Sequence, residues 1–167
     1  QRLSVQCIDH KTFPSRDAFD TELHKALTNA QIDLVCCAGF MRLLTADFVE
    51  RWLGRLLNIH PSLLPAFAGL HPHAQALAAG VRIAGCTVHF VVPETDRGPI
   101  VAQAAVPVAA ADTAETLAAR ILAAEHRLYP HALQLVATGA IRFEDGRAIA
   151  AADVPAGAAP ALFSPPL

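Results

Sequence analysis

The chain has 167 residues, a mean hydropathy of +0.36 and a formal charge of −2, set by 13 Lys and Arg against 15 Asp and Glu. That length suits one domain with a core of its own, and no apolar run approaches the roughly 18 residues that a membrane helix needs. A near-neutral balance supplies no basic field for nucleic acid, so neither a nucleic-acid nor a membrane partner is expected.

Residues 3–8 alternate apolar and polar side chains and predict a strand, with a polar link after it. Ser15 has the character of a helix N-cap, with Asp17 in the first turn; Ala18, Phe19, Leu23, Ala26 and Leu27 then recur at helical spacing up to about Asn29. Residues 32–38 are nearly all apolar, as a parallel strand covered on both faces requires, and Gly39 ends the run. Thr45 predicts the cap of a short helix through Trp52, and residues 56–60 predict the next strand. This alternation with short links is the grammar of an α/β fold: an open, mostly parallel Rossmann-like sheet with helices on both faces. Ligands in such sheets sit outside the carboxyl ends of the strands, where residues 39–44 and 58–65 fall.

Residues 73–80 predict a helix that stops on a Gly. Residues 86–92 and 100–106 predict an antiparallel pair that carries Asp96 at its hairpin end, the start of an antiparallel C-terminal portion. A long helix runs from Thr113 towards Thr138 despite Pro130, with Gly139 as its stop, and residues 141–143 and 148–151 predict a small hairpin. One domain is expected over residues 1–153, with a loosely ordered Ala- and Pro-rich tail over 154–167. Cys7, Cys36, Cys37 and Cys86 each lie in apolar runs without paired-thiol metal spacing, and read as small reduced core residues of a cytoplasmic protein.

Chemistry concentrates at the end of the strand over 56–60. Asn58 and His60 are two residues apart and share one face, and Pro61 stops the ladder behind them. A carboxamide that donates to an oxygen, beside an imidazole that moves protons near neutral pH, suits carbonyl chemistry. The loop that follows is unusually rich in Pro and His, and the polar turn Glu94-Thr95-Asp96-Arg97-Gly98-Pro99 offers Asp96 as the carboxylate partner.

Four motifs stand in order along the chain: Asn58-Ile-His60-Pro-Ser-Leu-Leu-Pro65, Gly69-Leu-His71-Pro-His73, Thr87-Val-His89-Phe90 and Asp96-Arg-Gly98-Pro99. Together the sequence resembles the folate-dependent glycinamide ribonucleotide formyltransferases of purine synthesis, from about Asp9 to Arg147. The resemblance implies formyl transfer from 10-formyltetrahydrofolate to the substrate amine, by direct attack through a tetrahedral intermediate, with no metal. Asn58 donates to the formyl oxygen, His60 stabilises the developing charge, and Asp96 orients the ring and assists proton transfer. Carried over residue by residue, Met41, Arg42, Leu43 and Leu44 match one pterin-contacting loop, and Val92, Pro93, Glu94, Thr95 and Asp96 match the loop on the other side of that ring; Arg16 aligns near the folate. Glu125 aligns with a helix residue that contacts the glycinamide substrate, and His89 with a strand histidine beside the catalytic group. Arg97 departs from the small residue usual at its position. The family's Gly-rich phosphate loop has no counterpart, since no Gly precedes Gly39, and a missing N-terminal strand, helix and strand is the expectation.

Alternatives share the motif. Enzymes that hydrolyse formyl-folate also carry an Asn-x-His and a distant Asp, although Gly-Leu-His-Pro-His fits the transferase better; a folate-binding module without catalysis is the reading from another class. Small-molecule substrates and a monomer or homodimer are expected. His60, His71, His73 and His89 lack the carboxylate or thiolate that would complete a metal site at recognised spacing.

Overall fold

The computed structural model describes residues 4–154 and 164. Ser15 accepts the Ala18 amide at 3.1 Å and starts α1 (Arg16–Asn29), with Asp17 in its first turn. Thr45 does the same for α2 (Ala46–Arg51) by taking the Phe48 amide. Each cap satisfies one of the amides a helix start leaves without a partner.

Between and after these helices run β1 (Val35–Cys37) and β2 (Leu56–His60), paired in parallel. The helix α3 (Pro72–Ala78) follows, and Gly80 at φ +67 turns the chain out of it. Next, β3 (Ile83–Phe90) lies antiparallel to β2, and β4 (Ile100–Pro107) antiparallel to β3, giving the order β1-β2-β3-β4. The α/β class expected from the sequence is borne out, with the parallel part in the β1–β2 pair and the antiparallel portion beginning at β3.

The long helix α4 (Ala114–Ala137) opens on a capping box between Thr113 and Thr116 and continues past Pro130. Its Leu117, Ile121 and Ala132 are buried against Cys86, Val88, Phe90 and Val106 of β3 and β4. Complete burial of one such Leu, Ile or Phe stabilises by about 1.5–3 kcal/mol, so several together offset the roughly 3 kcal/mol that an interior Pro costs. Asp112 and Arg120 pair twice, at 2.6 and 2.9 Å, and pin the β4–α4 link. Tyr129 shares its hydroxyl hydrogen between the carbonyls of Cys37 and Leu57, at 2.9 and 3.1 Å, which joins α4 to the parallel strands. A hairpin of β5 (Ile141–Glu144) and β6 (Arg147–Ala150) follows, close to the pair expected over 141–143 and 148–151.

Some expectations fail here. Residues 4–8 form no strand and residues 4–7 are exposed, because alternation makes a ladder only where a neighbouring edge completes it, and among the described residues none does. The strand over 32–38 shortens to β1, and Cys36 on it is exposed, so it is not covered on both faces. Of the four cysteines only Cys86 is a fully buried core residue, its thiol pushed up to about 11 by burial. The tail over 154–167 lies outside the described residues except for positions 154 and 164.

Candidate active site

Register assembles the site. The antiparallel pairing of β2 and β3 sets Asn58 opposite His89 and His60 opposite Thr87. Directly opposed residues project from the same face, so two polar rows cross the strands side by side. On that face the Asn58 amide nitrogen lies 3.4 Å from His89 Nε2. His89 Nδ1 is 2.8 Å from the Phe90 carbonyl and donates to it, which leaves Nε2 as the acceptor for Asn58. Burial pushes the His89 imidazole below its usual range, the Phe90 bond and Asp96 oppose this, and His60 adds to it. The ring is therefore neutral near pH 7, and the 3.9 Å separation of His89 Nε2 from Asp96 Oδ1 is a contact rather than an ion pair.

Asp96 arrives from the β3–β4 turn with φ +55, a left-handed conformation that Asp tolerates better than most side chains. Its Oδ2 stands 3.5 Å from His60 Nδ1 and accepts the Gly69 amide at 2.9 Å. Gly98 permits this turn: a methyl group there would fall on the Phe90 carbonyl oxygen, with His89 Nδ1 at 3.2 Å. The other ring nitrogen, His60 Nε2, is 3.1 Å from the Phe67 carbonyl. Both neighbours of the His60 ring are acceptors, a geometry suited to an imidazolium that donates from both nitrogens. His60 is 7% exposed, so these contacts are poorly screened by water.

The expected folate residues sort into two groups. Val92 is half-buried and Pro93, Glu94 and Thr95 are exposed on the turn that delivers Asp96. Met41, Arg42 and Leu43 are exposed, while Leu44 packs against the cluster of Phe48, Trp52 and Leu56. The Arg42 guanidinium lies 5.3 Å over the Phe19 ring, which brings this loop to the first turns of α1. Arg16 is the first residue of α1, exposed and three residues before Phe19; no hydrogen bond links it to Asn58, His60 or Asp96 among the described residues. Glu125 is half-buried on α4; burial pushes its carboxyl up, and His126 and His60 oppose this. Arg97 is exposed, and among the described residues no ion pair joins it to Asp96.

Sequence reasoning missed the backbone partners. The Phe67 carbonyl and Gly69 amide hold His60 and Asp96, yet a backbone group carries no residue-type signal. His73, read as the start of a helix over 73–80, is the second residue of α3, which begins at Pro72; burial pushes its ring down, and Nε2 is left without a partner. Among the described residues a cavity of about 160 Å³ lies between α1 and α2 and one of about 180 Å³ beneath the loop after β2, and neither is lined by Asn58, His60 or Asp96. No cluster of three or more His, Cys, Asp or Glu suited to a metal ion occurs among the described residues.

The sequence pattern of the family described as formyl transferase matches residues 1–133. A bovine relative, the trifunctional purine biosynthetic protein adenosine-3 of Bos taurus, is 52% identical over 146 residues, which are 87% of this chain and 14% of that protein. The phosphoribosylglycinamide formyltransferase of Escherichia coli is 46% identical over 136 residues, 81% of this chain and 64% of its own length. Among solved structures, glycinamide ribonucleotide transformylase 1 from Symbiobacterium toebii superposes with a TM-score of 0.82 at 52% identity, over 85% of this chain and 67% of that one. The chain thus spans a small part of the trifunctional protein and about two thirds of the single-function enzymes.

Proposed function

The chain belongs to the formyl transferase family, and from that premise we propose that it transfers a formyl group from 10-formyltetrahydrofolate to the amine of glycinamide ribonucleotide, a step of purine synthesis. The observation that carries this is the convergence of a carboxamide and an imidazole from one strand with a carboxylate from a distant turn, with Asp96 Oδ2 3.5 Å from His60 Nδ1. Residues 1–153 form the transferring domain in this proposal, acting on small molecules in the cytoplasm as a monomer or homodimer. Among the described residues no helix is long and apolar enough to cross a membrane.

The amine attacks the formyl carbon, a carbon–nitrogen bond forms, and negative charge gathers on the formyl oxygen. Asn58 keeps one amide hydrogen on His89 and has the second for that oxygen. Such a donor is worth about 3–4 kcal/mol where water is excluded. His60, held by Asp96 and the Phe67 carbonyl, presents positive charge to the same centre. The attacking nitrogen loses a proton, with Asp96 as the nearby carboxylate to relay it, and the folate nitrogen gains one as the old carbon–nitrogen bond breaks. No covalent bond to the protein is required.

The folate would lie between Met41, Arg42, Leu43 and Leu44 on one side and Val92, Pro93, Glu94 and Thr95 on the other, with Arg16 towards its tail. Glu125 and His89 would border the glycinamide substrate; a half-buried carboxylate is an apt partner for its amine.

The test incubates the chain with 10-formyltetrahydrofolate, with and without glycinamide ribonucleotide, and follows both products by mass spectrometry. Formylglycinamide ribonucleotide formed only with the acceptor supports the proposal. Formate released at the same rate without the acceptor assigns hydrolysis instead, and folate binding with no turnover assigns a binding module.

A further inference from the structure

We propose that Thr87, assisted by Gln103, is a positioning residue for this site: it anchors the loop that follows β2 and so sets where His60 and Asp96 stand. The inference rests on the formyl-transfer reading for its kinetic test, but the geometry behind it is independent of the substrate.

Thr87 sits on β3 with no exposed surface, directly opposite His60 on β2 and Gln103 on β4. Its hydroxyl donates to the Ser62 carbonyl at 2.7 Å, and accepts from the Leu64 amide at 3.0 Å and from Gln103 Nε2 at 2.9 Å. One hydrogen and two lone pairs are all engaged, so the hydroxyl is saturated. Gln103 Nε2 also donates to the Leu64 carbonyl at 3.0 Å. Three backbone groups in the first residues of the loop are thereby fixed to the sheet.

From that anchor the loop is bound to itself and then to the catalytic pair. Ser62 Oγ donates to the Ala66 carbonyl at 2.6 Å, and the Ala66 amide to the Leu63 carbonyl at 3.0 Å. One residue further on, the Phe67 carbonyl meets His60 Nε2, and the Gly69 amide donates to Asp96 Oδ2. Leu63 packs where Gly85 lacks a side chain, with Leu63 Cδ2 2.8 Å from where a methyl group at Gly85 would sit. A buried hydroxyl satisfied this fully defines one loop position, whereas an apolar replacement leaves the Ser62 carbonyl and Leu64 amide without partners and the loop free to shift.

The decisive variants are Thr87→Ser, which keeps the hydroxyl, and Thr87→Val, which keeps the shape. Residues that orient metal ligands through hydrogen bonds cost about 10- to 100-fold when removed, and a loss on that scale is expected for a hydroxyl that orients this site. Thr87→Val is expected to lose kcat in that range with KM for both substrates little changed, and Thr87→Ser to restore it. The second readout needs no turnover: the His60 Nε2 proton, observed by 15N-edited NMR in the wild-type chain, should lose its protection from exchange in Thr87→Val and regain it in Thr87→Ser. Should Thr87→Val not fold, Gln103→Leu, on the exposed edge of the same network, takes its place with the same two measurements. A wild-type-like kcat and an unchanged His60 signal in the folded variant overturn the inference, as does a Thr87→Ser variant as impaired as Thr87→Val. A wild-type chain without transferase activity would sink the functional proposal alone, since the NMR comparison still decides this one.

Discussion

Two regions of the molecule place a histidine next to carboxylates, and in only one of them do the histidine and a carboxylate share a linked network. At the end of β2, His60 faces Asp96 at 3.5 Å and the Phe67 carbonyl at 3.1 Å, and the Asp96 carboxylate also holds Gly69. Between α1 and α2, His24 lies edge-on to Trp52 with ring centres 6.0 Å apart, beside Asp20 and Asp47 in the lining of a cavity. There the carboxylates serve the helices: Asp20 Oδ2 accepts the Thr45 amide at 2.6 Å and Asp47 pairs with Arg51 at 2.8 Å. Asp20 Oδ1, His24 Nδ1 and Trp52 Nε1 are buried without partners. The same residue types thus give a linked network where three chain segments converge, and isolated capping and packing where two helices touch. Connection, rather than composition, separates the two regions.

The largest effect that tests this contrast comes from the network itself. His60→Ala or Asp96→Ala is expected to lower kcat about 10²- to 10³-fold, with formyl-folate binding retained in a fluorescence titration. His24→Ala should leave kcat unchanged, since among the described residues no hydrogen bond or ion pair links His24 to Asn58, His60 or Asp96. A comparable loss in His24→Ala would erase the distinction between the two regions.

Gly98→Ala sharpens it next. Because the new methyl group meets the Phe90 carbonyl, the Asp96 turn must move, and overpacking of this kind costs about 1–3 kcal/mol. Urea denaturation should report that loss, and kcat should fall along with it. In the other region, Asp20→Ala leaves the Thr45 amide without its acceptor, and a loss of about 1–3 kcal/mol in stability is expected with kcat unchanged. Stability and activity should therefore part company at Asp20 and move together at Gly98.

The smallest effect is in the pH dependence. Burial holds the His89 ring below its usual range, so as pH falls through the ordinary histidine range the unfolded chain takes up a proton that the folded chain refuses. Stability is expected to fall over that window and to level off only below the folded-state value. An NMR titration of the His89 ring should show its midpoint displaced downwards; a midpoint at or above the ordinary value would contradict the neutral ring assigned to it.

Local signals carried well. Caps at Ser15 and Thr45 were legible because a side-chain oxygen that precedes an amphipathic run has one use, whereas the capping box at Thr113 emerged only in the structure. The strand over 56–60 and its Asn-x-His end were legible because alternation places both side chains on one face. The alternation over residues 3–8 misled, since the same pattern in a segment without a ladder partner is only an exposed chain. Thr87 stood inside a quoted motif without a role, because a hydroxyl on a strand gives no sign of which distant carbonyl it will meet.

By itself the sequence determined most of the elements, the caps at Ser15 and Thr45, the α/β class and the identity of Asn58, His60 and Asp96 as a candidate group, since each depends on periodicity or residue chemistry within a short stretch. Only the tertiary structure decided that Asn58 faces His89, that Phe67 and Gly69 lend their backbone to the pair, and that Thr87 ties the loop to the sheet. Those contacts depend on strand register and on loop closure across distant positions, and pairing between remote segments is settled by the packing of the whole fold rather than by any local pattern.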